Sequence, residues 1–562
     1  PDYFVNKNQY EIEKEEADED SEINKIKKKL NKLKKEIEII LPKKSIFKSL
    51  RKLHLDARVM PNNSEMFEKL FLEKEYNPEY RTYIYKSIKN INSIKSLLAG
   101  KISYLRGDLP TKTIVNTINV PMGKLQESQY IIARRIEIIS SRRKKQNDDE
   151  NLANLRSKSR QICNIFIPSI HKTEDLNENE DSFEEEEVEE VEEEEGEQDD
   201  KIGRKSKKEK KIDPRNKNVN SFIEEKIHSI GDKEGNINDI ILDNIREYSC
   251  KCEHMIRVIL ESTKKNKTYK NHFYPMGKVL IYSDFRELYS GGVSFIAKLL
   301  EIADFGYMNF NTILDNFITT LEAEEKIIYE GANWGGNEIK PEFIDFQNKL
   351  LDFLKTFNEQ LYHNKTFYLW HTSDTQHMKI NYLAKFVYNN IENLNGNLLR
   401  VMFITKSGSE GISFKAIRQV HILEPFWQQT RETQVIGRAV RYKSHDDLPE
   451  KEKNVYIYKY LASFANKTGP IDKDLSGDNN LTTDEYITDV SEKKQSIINT
   501  FYELMKQVAL DCPYNNETMT CFSYNNIDYW ENVNSKPIIF NDGISAYNVD
   551  VLRKEAYLVK KN

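Results

Sequence analysis

Two arginines, a glutamine and a glycine stand at helical spacing in the segment Gln434–Arg441. If this segment is an α-helix, with about 100° between successive residues, positions 434, 438 and 441 fall within roughly 60° of one another. A guanidinium is always charged and can pair with two phosphate oxygens at once. The shared stripe therefore predicts that Arg438 and Arg441, beside the approachable backbone of Gly437, contact a triphosphate whose charge redistributes as the γ-phosphoryl leaves. A helix with two solvated arginines is the alternative interpretation.

A glycine-bearing loop precedes that helix and follows the apolar run Val401–Ile404. Such a run is typical of a parallel strand that is buried on both faces. Ligands of open α/β sheets bind at the carboxyl ends of the strands. Gly408 and Gly411 would expose backbone N–H groups at that end, where they suit the phosphates of a nucleotide or a nucleic acid. The loop is weak evidence by itself, but together with the arginines it favours a nucleotide-driven function.

Several segments resemble the motifs of superfamily 2 helicases. The segments that resemble motifs IV, V and VI, in that order, are Lys278–Asp284 with Gly291 and Gly292, Ser407–Gly411, and Gln434–Arg441. The linking text Gln419–Trp427 and the pair Ser444-His445 narrow the resemblance to the helicase-like ATPases of poxviruses and giant DNA viruses. Nucleoside triphosphate phosphohydrolase I and the early transcription factor small subunit typify that family.

The resemblance implies three groups of site residues. Motif VI arginines of the family reach across a cleft to ATP on a partner lobe, which implies catalytic roles for Arg438, Arg441 and Gln434. The ATP-binding residues implied are Gly408, Glu410, Gly411 and Gly437. Strand-end residues of the family touch the nucleic-acid backbone, which implies that role for Ser283, Thr405 and Ser407. For each of these three, a hydroxyl that caps a neighbouring helix or turn is the alternative. No metal ligand is implied in this chain.

The alternation of strand-like and helical text predicts an α/β fold with a parallel sheet that is covered on both faces. The resemblance implies that this sheet forms a RecA-like lobe, with helical N-terminal and C-terminal extensions and a disordered charged insertion. Four regions are predicted. They are the end of a first helicase lobe with a helical linker (1–135), a charged and mostly disordered insertion (136–245), a RecA-like helicase C-terminal lobe (246–470) and a C-terminal helical extension (471–562).

The charge of the chain is distributed unevenly. Its formal net charge is −6, and the run Glu184–Asp200 alone holds thirteen carboxylates. Without that run the remainder would carry a net charge of +7, so a basic track for DNA or RNA is possible elsewhere. The segment Lys201–Lys217 holds nine basic residues. Dense blocks of like charge stay solvated, and the insertion is interpreted as a tether, or alternatively as a binding region for a basic partner.

Five cysteines, a sparse and odd set, predict free thiols in a reducing, intracellular compartment such as a virion or the host cytoplasm. The text Cys250-x-Cys252-x-His254 could start a zinc site, but no second pair follows at finger-like spacing, and a helix over Cys250–Leu260 is predicted instead. No apolar run approaches the roughly 20 residues that a membrane span needs, so no membrane partner is expected.

The nucleotide loop of a helicase is missing from this sequence. A phosphate loop has Gly, four residues, Gly-Lys and then Ser or Thr, whereas Gly123-Lys124 is followed by Leu125 and has no glycine five residues upstream. No acidic magnesium motif of the Asp-Glu-x-His type is found either. The chain is therefore predicted to be the C-terminal half of an NTP-hydrolysing helicase or translocase, with ATP and Mg2+ bound mainly by a first lobe outside it, so activity of the chain alone stays open.

The partners expected are a DNA or RNA backbone and a viral RNA polymerase or its transcription factors, in viral transcription or replication. A second function class stays open. The chain could be a non-catalytic nucleic-acid-binding or polymerase-binding subunit that has lost the nucleotide-binding lobe.

Overall fold

The computed structural model of the chain describes only part of the sequence. The described residues are 61, 63–77, 82–98, 101–103, 111–144, 156–168, 214–228, 243–263, 265–330, 341–361, 365–369, 375–406, 412–466, 480–509 and 512. The chain divides into two compact units. The first comprises Pro1–Glu75, Tyr85–Arg106 and Asn499–Asn562, and the second comprises Tyr76–Ile84 and Gly107–Ile498.

The first unit contains a short helix and strands that are linked by local hydrogen bonds. Helix α1 (Ser64–Phe71) begins after Asn63, whose side-chain oxygen accepts from the backbone N–H groups of residues 65 and 66. An asparagine at this position satisfies donors that the first turn of a helix leaves open. Strands β1 (Leu72–Asn77) and β2 (Thr82–Ile88) pair with each other, and helix α2 (Ile91–Leu98) follows them.

A seven-stranded sheet organises the second unit. Its order is β3-β11-β10-β6-β9-β8-β7, and every neighbouring pair is parallel. A separate antiparallel pair is formed by β4 and β5. The strands of the unit are β3 (Lys112–Pro121), β4 (Lys267–Tyr269), β5 (His272–Tyr274), β6 (Lys278–Tyr282), β7 (Gly306–Tyr307), β8 (Thr366–Leu369), β9 (Val401–Ile404), β10 (Ile417–Ile422) and β11 (Asn454–Ser463).

Helices connect the strands and flank the sheet, which confirms the predicted α/β fold. Within the described ranges they are α3 (Lys124–Lys144), α4 (Ser157–Asn164), α5 (Pro214–His228), α6 (Cys250–Ser262), α7 (Val293–Ile302), α8 (Phe310–Thr320), α9 (Ala323–Glu330), α10 (Pro341–Leu361), α11 (Thr375–Asn389), α12 (Gln429–Ala439) and α13 (Thr483–Val508).

The central strands are buried on both faces because both faces are covered by helices. Every residue of β6, β9 and β10 is buried. Side chains alternate across a strand, so Val279, Ile281 and Phe403 pack in one hydrophobic core. Their neighbours Leu280 and Ile404 pack in a second core on the opposite face. The apolar run Val401–Ile404 is therefore a buried parallel strand, as predicted.

The lobe starts upstream of the boundary predicted at residue 246. Strand β3 pairs with β11 in parallel along its whole length, from Lys112 opposite Asn454 to Pro121 opposite Ser463. As an edge strand, β3 alternates exposed and covered positions, without the continuous apolar run of the central strands. The sequence pattern of the core strands therefore did not identify it.

Two segments within the predicted insertion are helical. Helix α4 has four buried residues, and Ile165, Phe166 and Ile167 after it belong to the main hydrophobic core. Helix α5 contributes Val219, Phe222 and Ile223 to the same core. The acidic run itself lies outside the described residues. The insertion thus contributes to the packing of the lobe at two places, which the charge pattern did not indicate.

A buried ion pair joins helices α6 and α13. The Lys251 ammonium donates to Asp484 Oδ2 at 2.7 Å, and both side chains are 0% exposed. Lys251 also donates to the carbonyl of Leu423 after β10, at 2.9 Å. Asp484 Oδ2 also accepts from the N–H of Ala462 in β11, at 3.0 Å. The pair therefore fixes two helices against the carboxyl ends of two strands.

Of the four cysteines among the described residues, one differs from the prediction, and Cys521 lies outside them. Cys163, Cys250 and Cys252 are free and buried, and burial raises the pKa of the Cys250 and Cys252 thiols to about 12. Cys512, in contrast, is disulfide-bonded, so the prediction of five free thiols is wrong there. The predicted helix over Cys250–Leu260 is confirmed by α6. None of the described helices is long and apolar enough to span a membrane.

We predict that replacing Lys251 with Met destabilises the fold by about 3–5 kcal/mol, because Asp484 then remains buried without its cation. The measurement is the free energy of unfolding from urea titration. A Lys251→Met/Asp484→Leu double variant should recover part of this loss. Lys493→Met is the control, since Lys493 pairs with Asp489 on an exposed helix face. Equal effects of Lys251→Met and the control would contradict the prediction.

We also predict that stability falls as the pH drops below about 6.5, partly because of His421. Its ring lies between Tyr460 Oη at 2.8 Å and Gln419 Oε1 at 2.9 Å, and burial lowers the pKa of His421 to about 3. The unfolded chain therefore binds a proton that the folded chain does not bind. His421 alone should lower the free energy of unfolding by about 2 kcal/mol between pH 7 and pH 5. His421→Gln should flatten the pH profile, whereas His272→Gln, at a partly exposed position, should leave it unchanged.

Candidate active site

The candidate site lies at the carboxyl ends of β6, β9 and β10, which are adjacent in the sheet. Strands β7, β8 and β9 lie on one side of β6 in the sheet. The next strand in the sequence, β10, lies on the other side of β6. Ligands of open α/β sheets bind where the strand order switches in this way. Asp284, Thr405 and Glu424 follow these three strands within two residues.

Helix α12 carries Gln434, Gly437 and Arg438, but it ends before Arg441. The C-cap is Val440, whose backbone is extended. A continuing helix would use the Arg438 carbonyl for the N–H of residue 442. Here that carbonyl accepts instead from the N–H of Phe414, at 2.9 Å. The prediction that Arg441 lies on the helical stripe is therefore wrong.

The two arginines nevertheless converge on one short segment. Arg438 donates from its guanidinium to the carbonyl of Ile412 at 3.0 Å. Arg441 donates from Nε to the Gly437 carbonyl at 2.8 Å, and from its terminal nitrogen to the hydroxyl of Ser413. Residues 412 and 413 directly follow the glycine-bearing loop in the sequence. The segment after that loop therefore holds both guanidiniums, with Arg438 buried and Arg441 exposed.

A tight turn over Arg441–Ser444 fixes the backbone beside the second arginine. The Ser444 N–H donates to the Arg441 carbonyl at 3.0 Å, and the Arg441 N–H donates to the Ser444 hydroxyl at 3.1 Å. His445 Nε2 lies 2.8 Å from the Ile417 carbonyl, and its Nδ1 lies 2.8 Å from the Ser444 hydroxyl. Burial lowers the pKa of His445, so a neutral ring donates to Ile417 and accepts from Ser444. In the sequence the pair Ser444-His445 served only to narrow the family resemblance. The structure shows that the pair fixes the backbone of the turn after α12.

The surface of α12 beside the arginines is open. Gln434 is exposed one helical turn before Arg438. Among the described residues, a Cβ built on Gly437 would meet no heavy atom within 4 Å. A phosphate group could therefore approach the helix backbone at this glycine.

The remaining predicted residues have different outcomes. The ATP-binding candidates Gly408, Glu410 and Gly411 lie outside the described residues, as does Ser407. Thr405 is half-buried just after β9. These four residues and Thr405 keep their predicted roles as hypotheses.

The predicted contact of Ser283 with the nucleic-acid backbone is wrong. Its side chain is fully buried, and its hydroxyl donates to Glu424 Oε1 at 2.6 Å and accepts from the N–H of Phe285 at 3.2 Å. A hydroxyl that is committed in this way cannot reach a nucleic-acid phosphate. The alternative interpretation, a hydroxyl that caps a local turn, describes Ser283.

A buried carboxylate that sequence reasoning missed stands at the centre of this edge. Glu424 accepts from the Ser283 hydroxyl and from Asn164 Nδ2, both at 2.6 Å, and from the N–H of Asp284 at 3.1 Å. Burial raises the pKa of Glu424, while Lys251 and the donated hydrogen bonds favour its charged form. The single carboxylate within the otherwise apolar text Ile422–Trp427 was the available signal, because a buried carboxylate requires donors.

Two guanidiniums meet on the carboxylate of Asp284. Arg431, in the first turn of α12, donates to both of its oxygens, at 3.0 and 3.2 Å. Arg160 of α4 donates to Oδ2 at 3.3 Å. Both guanidiniums also lie within 6.0 Å of the ring of Phe426. The insertion and the arginine-bearing helix are therefore attached to the same strand end.

Comparison with known proteins agrees with this geometry. Residues 343–443 match the model of the helicase conserved C-terminal domain. A protein of Acanthamoeba polyphaga mimivirus, named as an ATP-dependent RNA helicase, is 40% identical over 128 residues, which are 23% of this chain and 15% of that protein. A termination factor NPH-I homolog of African swine fever virus is 27% identical over 262 residues, which are 46% of this chain and 34% of that protein.

Two further matches are more limited. Nucleoside triphosphatase I of Heliothis armigera entomopoxvirus is 33% identical over 128 residues, covering 23% of this chain and 18% of that protein. The crystal structure of the C-terminal part of the Fun30 ATPase domain covers 70% of this chain and 99% of that chain, at 12% identity and a TM-score of 0.25. The α/β fold is instead shown by the order and the parallel direction of the seven strands.

The matches with these relatives are partial. The matched segments span 15% of the mimivirus protein, 34% of the African swine fever virus protein and 18% of the poxvirus enzyme. The segment matched by the family model, residues 343–443, contains β9, β10 and α12. The chain therefore contains a segment, residues 343–443, that matches the helicase conserved C-terminal domain, and over partial lengths it is similar to giant-virus RNA helicases and poxvirus nucleoside triphosphatases.

Proposed function

We propose that this chain is the C-terminal half of an ATP-dependent nucleic-acid helicase or translocase that serves viral transcription or replication. The observation that carries the proposal is the convergence of Arg438 and Arg441 on residues 412 and 413. Two cations are thereby held side by side at the sheet edge where ligands bind. The names of the relatives, an ATP-dependent RNA helicase and a nucleoside triphosphatase, support the same activity.

The two arginines have different parts in this proposal. Arg441 is exposed and can reach a γ-phosphate that a partner lobe presents, where its fork neutralises charge that develops during transfer. Arg438 is 9% exposed and holds the segment after the glycine-bearing loop. Gln434, one turn earlier on the exposed face, contacts the partner lobe. ATP with Mg2+ supplies the phosphoryl group whose transfer releases the free energy, and both are held mainly by that lobe.

Nucleic acid lies along the carboxyl edge in the proposed mechanism. Thr405 and Ser407 follow β9 in the sequence and contact backbone phosphates, and Ile412 and Ser413, which accept from the two arginines, follow a few residues later. Strand binding at Thr405 is thereby coupled to Arg438, whose guanidinium donates to the Ile412 carbonyl. Binding through the backbone should weaken with salt and show little sequence preference.

The second candidate function is a non-catalytic binding subunit, with DNA, RNA or a viral RNA polymerase as its partner. The absence of a Walker A pattern from this sequence favours it. Under this hypothesis the arginines keep the lobe folded and have no effect on turnover. The two hypotheses therefore differ in what an arginine substitution changes.

We predict that Arg441→Ala lowers nucleic-acid-stimulated ATPase turnover by about 10³-fold in the full natural polypeptide that contains this chain. Arg441→Lys should recover little activity, because an ammonium lacks the planar fork. Arg438→Ala should lower turnover and also stability, since Arg438 is buried. Lys451→Ala, an exposed cation before the amino end of β11, is the control and should leave turnover unchanged. Unaltered turnover in both arginine variants would remove them from the mechanism.

We further predict that the affinity of the chain for a single strand falls steeply between low and moderate salt, with similar slopes for wild type and Arg441→Ala. Fluorescence anisotropy with a labelled mixed-sequence oligonucleotide measures this. Salt-sensitive binding by a polypeptide without any ATPase activity would support the second candidate. The absence of binding at low salt would contradict both.

A further inference from the structure

Side-chain ion pairs rather than a capping residue fix the entry of helix α12. Its N-cap residue, Gln428, makes no side-chain cap hydrogen bond. Two ion pairs in the first turn attach the helix to the sheet. Arg431 pairs with Asp284 after β6, and Glu432 pairs with Lys459 of β11. The direction of α12 therefore depends on where these two partners lie.

Asp284 is itself held in place on its backbone side. Its N–H donates to Glu424 Oε2 at 3.1 Å, and Glu424 is only 1% exposed. The hydroxyl of Ser283 and the amide of Asn164 occupy Glu424 Oε1. Because Glu424 lies between β10 and α12 in the sequence, one buried carboxylate links the strand end that carries Asp284 to the chain that enters the helix.

The carboxylate of Asp284 has a second guanidinium partner from the insertion. Arg160 donates to it at 3.3 Å and to the carbonyl of Pro425 at 3.4 Å. The two arginine side chains and Asp284 are partly exposed, at 16% for Arg160, 34% for Arg431 and 19% for Asp284. One carboxylate thus shares its oxygens between the helix that carries Arg438 and a helix of the insertion.

We propose that Asp284 is a positioning residue that sets the direction of α12 and thereby the place of Arg438, and that Arg160 makes this setting depend on the insertion helix α4. The inference rests on the proposed function. Arg438 lies seven residues after Arg431, or about 10 Å along the helix axis, so a small tilt at the first turn displaces the guanidinium. A misplacement of about 1 Å can reduce a rate by about 10²-fold.

The main test compares Asp284→Asn with wild type in the full natural polypeptide. The asparagine keeps the shape and removes the charge that holds Arg431. We expect kcat to fall by about 10- to 100-fold, with the KM for ATP changed by less than about threefold. Asp284→Glu, which keeps the charge, should retain more of kcat than Asp284→Asn does. Lys298→Gln, in an exposed pair on α7, is the matched control and should have no effect.

A double-mutant cycle separates positioning from general damage to the fold. If Asp284 acts through Arg438, then Asp284→Asn should cost little further activity in an Arg438→Ala background. Independent, multiplying losses in the two backgrounds would overturn the proposal. Arg160→Gln should lower kcat less than Asp284→Asn does, because Arg431 still holds the carboxylate through both oxygens.

A second measurement does not require turnover. Amide hydrogen exchange over residues 429–439 should accelerate by about tenfold or more in Asp284→Asn, while exchange in α7 stays unchanged. Unchanged exchange in α12 would overturn the proposal even if wild type shows no ATPase activity. Wild type without ATPase activity, but with accelerated exchange in the variant, would instead count against the proposed function and leave the attachment of α12 established. If Asp284→Asn does not fold, Arg431→Lys is the milder variant for both measurements.

Discussion

Burial of charge at the carboxyl edge of the sheet is the constraint on which the rest of the lobe depends. An ionised carboxylate such as Glu424 is costly in the interior unless donors surround it. Its donors come from residue 164 and from residues 283 and 284, more than a hundred positions away in the sequence. The same logic applies to Lys251 and Asp484, which bring α6, α13 and the ends of two strands together. These requirements place the insertion helix on the lobe and fix the strand ends that position the arginines.

The elements that a local pattern specifies could be predicted from the sequence. The four apolar residues of β9 are buried on both faces because helices cover the sheet, and continuous apolar runs are typical of such strands. The helix predicted over Cys250–Leu260, in place of a zinc site, is present as α6. Edge strand β3 lacks such a run, because half of its residues are exposed. A strand of this kind is identified by its partner, β11, and a partner is not a local property.

The site residues also fall into those that a local pattern predicts and those that depend on distant contacts. A local spacing placed both arginines on one predicted helix. The structure has Arg438 on α12, whereas Arg441 lies beyond the end of this helix. The helix ends because Phe414, from a distant part of the sequence, takes the Arg438 carbonyl, and no pattern within the segment contains that information. Ser283 shows the reverse case. Its position at a strand end suggested a phosphate contact, but Glu424 from another strand occupies its hydroxyl. Long-range pairs of polar groups therefore decided which of the predicted residues can meet a ligand.

The pairing of β3 with β11 has a practical consequence for anyone who expresses part of this chain. A truncation that starts at residue 246 removes β3 and leaves all ten residues of β11 without their neighbour on that side. A long bare strand edge is a template for intermolecular association. The same cut removes Asn164 and so deprives Glu424 of a donor. Recombinant fragments of the lobe should therefore begin before Lys112 and keep α4 if they are to stay monodisperse.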